Sequence, residues 1–483
     1  MKLSQLLAGI NVLDANVNMD MEITSVVYDS RKVTPGSLFV AITGFATDGN
    51  KYIPMALQSG AVAVVTAQPQ AEEVPYVQVD SDRLALALIG ANFYGHPAKA
   101  MKLIGVTGTN GKTTTTLLLK HVLEQVLGAK VGLMGTMENM IGDQVIPTER
   151  TTPESFDLQA LLAQMRDAGC GYAIMEVSSH AIALDRVAGL HYEVAAFTNL
   201  TEDHLDFHKT MEAYCDTKAE LFRRCNKAVA NTDDAWFERM TQNATCQMLT
   251  TSVKGNADLQ AEDLELKSDG ISFVAVSGKE RVPVELPIPG KFTVYNALSV
   301  LGCAMQLGIS LSDACGALKT AKGVKGRVEV VPTPGKDYTV LIDYAHTPDG
   351  LENVLTSVKG YCRGRLIAVF GCGGDRDPVK RPIMGKIGVD IADHAIITSD
   401  NPRTEDPGKI IQDILKGVNS SKNNYEIIEN RVKAIHQAMD IARKNDIIVL
   451  AGKGHETYQE ICGVKHHLDE REVVAAYLKE NNG

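Results

Sequence analysis

Short apolar runs, each closed by polar or glycine-bearing residues, alternate along this chain with stretches spaced as amphipathic helices, a pattern that predicts sheets built from β–α units. They fall into three blocks. The first, to about Pro97, holds strand-like Leu38-Phe39-Val40-Ala41-Ile42 and Ala61-Val62-Ala63-Val64-Val65, with a helical stretch from Tyr52 to Gln58 between them. The second begins at Lys99. It contains an apolar run, Leu103-Ile104-Gly105-Val106, a helix-forming stretch from Thr114 to Leu127, and buried-strand candidates Tyr172 to Val177 and Val194 to Leu200. Inside it, the polar, turn-rich interval Asn243 to Gly278 reads as an excursion from the domain. The third begins near Gly326 and alternates Val340-Leu341-Ile342, Leu366 to Phe370, Ala395-Ile396-Ile397 and Ile447 to Leu450 with amphipathic helices, as a doubly wound sheet does. The expected fold class is therefore α/β in three domains, over residues 1–98, 99–325 and 326–483: a small N-terminal α/β domain, a central domain with mainly parallel sheet and a C-terminal Rossmann-like domain. The length of 483 residues agrees, at roughly 150 residues per domain.

Between the apolar run and the helix of the second block lies Gly108-Thr109-Asn110-Gly111-Lys112-Thr113-Thr114. Strand, glycine-rich loop and helix in that order make a phosphate cradle. Glycines let backbone amides encircle phosphate oxygens, the helix start adds partial positive charge, Lys112 reaches the outer phosphates, and the Thr113 hydroxyl can take a Mg²⁺. ATP or GTP is the ligand such a loop implies. The usual spacing would put a glycine at position 106, where this chain has Val106, so the loop is a variant. A chance glycine-rich turn is the competing structural explanation.

Charge and cysteine content narrow the class. A net charge of −11 and a pI near 5.6, with no basic run, exclude a nucleic-acid partner from the expectation. Nine cysteines scattered without a Cys-x-x-Cys pair read as reduced packing thiols of a cytoplasmic protein. Met1 to Asp20 lacks the basic start and apolar core of a secretion signal, and nowhere do 18 apolar residues run together, so no membrane span is expected.

Polar clusters close several of the strands. Glu176, in Met175-Glu176-Val177-Ser178-Ser179-His180, offers a hard oxygen ligand suited to Mg²⁺, or else caps a helix or sits at the surface. Asp203-His204-Leu205-Asp206 follows the next strand; taken alone, such a histidine is more often a hydrogen-bonded structural residue than a ligand. In the third block, Asp375-Arg376-Asp377, Asp400-Asn401-Pro402-Arg403 and Gly452-Lys453-Gly454-His455-Glu456 each follow a strand. Three polar tips on one sheet edge predict a small-molecule site facing the phosphate loop.

Taken together, these residues resemble the Mur ligases of bacterial cell-wall synthesis over essentially the whole chain. Glu176-Val177-Ser178-Ser179-His180, Thr198-Asn199-Leu200, Asp203-His204-Leu205-Asp206, Thr217-Lys218-Ala219-Glu220-Leu221-Phe222, Tyr295-Asn296-Ala297, Gly326-Arg327 and Asp343-Tyr344-Ala345-His346-Thr347-Pro348 stand in family order behind the loop. Asp400-Asn401-Pro402-Arg403 is similar to the signature of members that add meso-diaminopimelate. The resemblance implies an N-terminal uridine-binding domain, a central ATPase domain and ATP-driven amide formation in the cytoplasm, on UDP-N-acetylmuramoyl-L-alanyl-D-glutamate, by a monomer. It implies Mg²⁺ at Thr113 and Glu176 and a second Mg²⁺ at Glu176 and His204, with Lys112, Glu176, His204 and Lys218 catalytic.

For Lys218 the family implies a CO₂-derived carbamate. An ammonium beside two divalent cations meets a repulsion of roughly 4 kcal/mol per unit-charge pair at 4 Å in an effective dielectric of 20, and a carbamate removes it. The competing explanation is a surface lysine on a helix from Met211 to Phe222. By the same resemblance, Asn296, Arg327, Asp343 and His346 surround adenine and ribose, or simply bond across domains. Ser30 and Phe45-Ala46-Thr47 face the uridine nucleotide, and Thr151, Thr152, Ser178 and Arg186 face the muramoyl peptide. Leu184 and Arg150 depart from residues that some relatives use there. Arg376, Asp400, Asn401, Pro402, Arg403, Gly452 and Glu456 hold the amino acid, with Arg403 taking its distal carboxylate unless it pairs with Glu405 or Asp406. The sequence singles out no base for the attacking amine. A folylpolyglutamate or cyanophycin synthetase is the alternative enzyme, and a nucleotide-switched regulatory subunit the alternative of another class.

Overall fold

A computed structural model describes residues 1–44, 47–148, 150–267 and 269–481. Three main sheets follow one another along the chain. The first has five strands, ordered Val12–Ala15, Tyr76–Val79, Ala61–Thr66, Ser37–Val40 and Ser25–Val27, parallel except for the pairing of the first two. Apolar positions on Ser37–Val40 and Ala61–Thr66 are buried on both faces, which is why those runs do not alternate.

The central sheet has eleven strands. Lys102–Thr107 lies between Tyr172–Glu176 and Tyr192–Phe197, parallel to both, so the phosphate loop emerges where neighbouring strand ends supply Glu176 and Thr198-Asn199. The helix after the loop runs Lys112–Leu127, starting two residues before the apolar pattern does, and Gly128 in left-handed conformation closes it. Asn243 to Gly278 is no excursion. Gln247–Ser252 and Leu259–Leu266 continue the parallel sheet, and Ile271–Ser277 and Glu280–Leu286 extend it antiparallel. Each of those strands turns one apolar face inward, with polar residues filling most outward positions of Leu259–Leu266 and Glu280–Leu286, and Leu259, Ile271, Phe273, Ala275 and Val284 join the core around Ile104 and Leu119. Their outward polar positions are what gave the interval its loop-like composition.

The third sheet has six strands, ordered Glu329–Val331, Thr339–Asp343, Ile447–Ala451, Leu366–Phe370, His394–Ile397 and Tyr425–Ile427, with only the first antiparallel to its neighbour. Separate cores cover its two faces, one around Leu341, Ala368 and Val449, the other around Ile342, Val369 and Leu450. A hairpin, Tyr458–Ile461 with Val464–His467, stands beyond the edge where the polar tips lie. Among the described residues, no helix is long and apolar enough to cross a membrane.

Candidate active site

At the phosphate loop, two glycines are obligatory. Gly108 (φ +145°) lies so near the Thr198 hydroxyl that any Cβ would collide with it, and Gly111 (φ +86°) lies equally close to the Asn296 side-chain oxygen. Val106 is buried inside the strand, so the variant spacing leaves the loop itself intact. The loop is tied down by Thr109 N donating to Asn199 O (2.8 Å), Asn110 N to Asn199 Oδ1 (2.9 Å) and Thr198 Oγ to Asn110 O (2.7 Å). Thr113 and Thr114 are buried in the first helical turn. Lys112 Nζ donates to Gly108 O (3.0 Å) and Thr109 O (2.8 Å), and desolvation pulls its pKa down against the opposing attraction of Glu176.

Lys218 closes the loop from the other side. Only 1 % of it is exposed, which rules out a surface lysine; its Nζ donates to Gly108 O (3.0 Å) and lies 4.7 Å from the Tyr214 ring centroid. Its helix ends at Ala219 and tightens into a 3₁₀ turn, Glu220–Arg223. Burial first, and the Lys112 cation second, hold the amine well below the usual lysine range.

Glu176 is equally buried, at 1 %, which excludes the surface-acid alternative. Its carboxylate accepts from a single residue that the sequence analysis passed over: Thr136 N reaches Oε1 (2.9 Å) and Thr136 Oγ reaches Oε2 (2.9 Å). The His204 ring meets Asp203 Oδ2 (3.3 Å) and, edge-on, His180 at 4.8 Å between centroids. Desolvation lowers its pKa more than Asp203 raises it.

The muramoyl-side candidates gather beside Glu176. Thr152 Oγ donates to Glu176 O (2.8 Å), Ser178 N donates to Thr152 Oγ (3.2 Å), and Arg186 Nη1 donates to Thr152 O (3.4 Å). Buried Glu154 draws in Arg186 (3.3 Å), Arg150 (3.8 Å) and, from the N-terminal block, Arg83 (3.5 Å). Arg150 thus answers Glu154, while Leu184 ends the short helix Ser179–Ala183 as its C-cap. Ser30 is buried at the start of a 3₁₀ turn capped by Asp29, and exposed Thr47 pairs with Tyr52 (3.2 Å). No contact among the described residues joins them to the threonine pair, and Phe45 and Ala46 lie outside the described residues.

Around the linker to the third block, Asp343 takes Val328 N and Ala345 N (both 2.8 Å), which fixes the turn carrying Arg327; burial raises its pKa. Arg327 stacks on Tyr344 (5.0 Å to the centroid), and His346 turns its Nδ1 to Tyr344 O (2.8 Å). Asp349, unforeseen from sequence, accepts from Asn110 Nδ2 and Thr201 Oγ (both 2.9 Å) and so docks the third block on the loop.

Two of the three polar tips interlock, and the third backs them. Asn401 Nδ2 donates to Glu456 Oε2 (2.8 Å), and fully buried Lys453 donates to Asn401 Oδ1 (3.1 Å) and Glu456 Oε2 (3.0 Å). Gly452 (φ +119°) lets Asp400 pack directly against the chain. Pro402 is buried, and its carbonyl accepts from Glu405 N (3.0 Å). Arg403 pairs with neither Glu405 nor Asp406: Glu405 is held by Arg381 (2.7 Å), and Asp406 caps Pro407–Leu415. Instead its Nε faces Glu460 (3.3 Å) and its Nη1 donates to Gly374 O (2.7 Å), which leaves Nη2 and the second Nη1 hydrogen for a ligand. Exposed Arg376 stays on the same edge, bonded to Asp375 O (3.1 Å). Lys453 was legible inside its tip; Glu460 and Thr136 carried no local signal.

A cavity of about 450 Å³ joins the two halves, lined by Thr136, Arg150 and Thr151 on one side and Tyr344, His455, Glu456, Thr457 and Tyr458 on the other. A glycine-rich loop opening a helix on one sheet, with interlocked polar tips on the edge of another, is the architecture of an ATP-dependent ligase. Family models agree. Residues 22–94 match "Mur ligase family, catalytic domain", 106–304 "Mur ligase middle domain" and 326–454 "Mur ligase, glutamate ligase domain". The chain belongs to the Mur ligase family. It is 48% identical over 466 residues, 95% of this chain and 96% of the relative, to the UDP-N-acetylmuramoyl-L-alanyl-D-glutamate--2,6-diaminopimelate ligase of Clostridium botulinum. The protein of the same name from Caldanaerobacter subterraneus is 47% identical and covered in full, as is this chain. A solved structure bearing that name, 33% identical, covers 100% of this chain and 99% of its own with a TM-score of 0.74. A folylpolyglutamate synthase from Mycobacterium tuberculosis shares the fold at 16% identity and a TM-score of 0.62.

Proposed function

We propose that this chain joins meso-diaminopimelate to the γ-carboxylate of the D-glutamate in UDP-N-acetylmuramoyl-L-alanyl-D-glutamate, at the expense of ATP. The observation that carries the reading is the cavity, whose walls come from the phosphate-loop sheet and from Tyr344 and the His455–Tyr458 segment, with Glu456 held from behind by Asn401 and Lys453. The names of relatives identical at almost half of all positions supply the substrates. A carboxylate resists attack by an amine because oxide would have to leave. Transfer of the ATP γ-phosphoryl group to it gives an acyl phosphate; the amine then adds to the carbonyl, and the C–O bond to phosphate breaks as the amide forms.

The chain's own groups meet each charge on that path. The loop amides and Lys112 face the phosphates, and the Lys112 contacts to Gly108 O and Thr109 O are the ones a phosphate displaces. Arg403 offers its outer N–H groups to the distal carboxylate of diaminopimelate, with Arg376 beside it, while Asp400, Asn401 and Glu456 orient the amino groups. Mg²⁺ would neutralise the transferring phosphates. The donors suit it: buried Glu176, the Thr113 hydroxyl, His204 and Lys218, whose lowered pKa makes its amine more available than an exposed lysine's to add CO₂ and shed a proton as a carbamate. Among the described residues no three His, Cys, Asp or Glu gather as a ready-made metal site, in keeping with an ion that takes phosphate oxygens and water for its remaining ligands.

The domain boundaries belonging to this reading are 1–98, 99–325 and 326–483, in a cytoplasmic monomer. The test is release of ADP by the purified protein with the UDP-muramoyl dipeptide and each of a panel of amino acids. Meso-diaminopimelate is expected to drive turnover far beyond L-lysine, D-alanine or L-glutamate; turnover that depends on glutamate with a folate in place of the muramoyl nucleotide would sink the assignment.

A further inference from the structure

Thr136 occupies an unusual place: its hydroxyl is 2.9 Å from Glu176 Oε2 and 3.1 Å from Thr151 Oγ, and it is positioned to donate to either. A hydroxyl carries one hydrogen, so it serves one acceptor at a time. The backbone N–H of the same residue holds Glu176 Oε1 (2.9 Å), which keeps the carboxylate in place whichever way the hydroxyl turns. Gly135, just before it, leaves the other side of that oxygen open, since a Cβ there would stand 2.7 Å from Oε1. Thr136 and Thr151 both line the cavity.

We propose that Thr136 is a positioning residue whose single hydroxyl hydrogen couples occupancy of the muramoyl-side threonine, Thr151, to occupancy of the carboxylate of Glu176. The inference rests on the ligase reading above. While Glu176 is free and ionised, it is the stronger acceptor and holds the hydrogen, since charge-assisted bonds exceed neutral ones. Once Glu176 gives Oε2 to a cation, the hydrogen turns to Thr151. Thr151 then accepts from Thr136, and its own O–H is released toward the cavity to meet an oxygen of the precursor. Each ligand thereby favours the other, and reciprocity requires the two effects to be equal. A second bond stiffens the link: Thr152, next to Thr151, donates to the backbone oxygen of Glu176 at 2.8 Å.

Mn²⁺ binding, followed by electron paramagnetic resonance with a non-hydrolysable ATP analogue and no amino acid, reads the coupling without turnover. In the unaltered protein the UDP-muramoyl dipeptide is expected to tighten Mn²⁺ by roughly five- to tenfold, the lower part of the usual range for coupled sites. Thr136→Val removes the hydroxyl at nearly constant volume and brings that ratio to about one, and Thr136→Ser restores it. Thr151→Val cuts the chain one link further out: at saturating dipeptide, with its binding confirmed directly, it too abolishes the ratio, and it decides the matter if Thr136→Val fails to fold. A ratio near one in the unaltered protein, or one that survives in either valine variant, overturns the proposal. Product formation is measured alongside. Unaltered protein that ligates but shows no coupling defeats this inference alone, whereas absence of any muramoyl tripeptide product defeats the reading beneath it.

Discussion

The proposed phosphate loop and amino-acid clamp would each hold an anion, with different parts. The loop uses backbone: glycines at 108 and 111, amides at a helix start, and neighbouring strand ends at Thr198 and Asn199 that pin it. The clamp uses side chains from separate strands, and its cation, Arg403, is balanced by Glu460. Backbone recognition survives loss of a side chain in shape but not in chemistry. Side-chain recognition loses its specificity with the first residue removed.

The sharpest break in that comparison is Lys112→Ala. Activity is expected to fall by about 10³-fold, the scale for losing a group aimed at developing charge, with the dissociation constant for the UDP-muramoyl dipeptide moving less than about twofold. Equilibrium binding beside steady-state ligation checks it; near-normal turnover by folded variant protein would falsify the role given to the loop.

Next comes Lys218→Met, which keeps the side chain's length and removes its amine. Ligation should drop by about 10²-fold or more, and a small added carboxylate should recover part of it by standing where the carbamate stood. Stability should move the other way. A lysine whose folded pKa lies below its unfolded value holds fewer protons folded than unfolded, so its penalty is fully present below the folded pKa and fades as pH climbs toward about 10.5. Melting curves should therefore show Lys218→Met raising Tm by about 2–4 °C near pH 7 and by less near pH 10. Equal gains at both pH values would mean that the buried amine is charged. Labelled bicarbonate and carbon-13 NMR offer a direct view of the carbamate itself.

Arg403→Ala probes the other region. Loss of a charge-assisted contact is expected to raise the KM for meso-diaminopimelate by about 10- to 100-fold and leave that for ATP within about twofold. A site built around a polar group can reject an analogue lacking it by roughly 10⁴-fold, so the margin over L-lysine should narrow sharply. If the unaltered enzyme already takes L-lysine as well as meso-diaminopimelate, Arg403 does not select.

The smallest effect is expected at the join. Asp349→Ala removes the acceptor for Asn110 and Thr201 but leaves both sites intact, so kcat/KM should fall only about three- to tenfold, as for one or two ordinary hydrogen bonds. No change at all would mean that the two sheets are held together elsewhere.

What can be learned from the chain alone follows the same division. Contiguous features were legible: the phosphate loop, the strands Leu366–Phe370 and Ile447–Ala451, and the three polar tips, because a strand, its turn and its helix lie next to one another in sequence and backbone chemistry is local. Half-exposed antiparallel strands were not. Alternation of Val, Ile and Phe with Ser, Glu and Arg in Ile271–Ser277 and Glu280–Leu286 resembles a loop until a sheet supplies one dry face. Nor could sequence decide between paired alternatives. Lys218 reads as a surface lysine on its helix, and only the packing of that helix against the loop strips it of water and lowers its pKa. Arg403 has acids two and three residues away, yet its partner is Glu460, brought in by a hairpin some sixty positions further on. Thr136 has no motif, and becomes noticeable when Glu176 is found with no other described residue donating to its carboxylate. Local patterning was enough to name the elements and the reactive groups. Which of those groups are dry, and which face each other, depends on contacts between distant segments, and desolvation and charge pairing exist only once those contacts have formed.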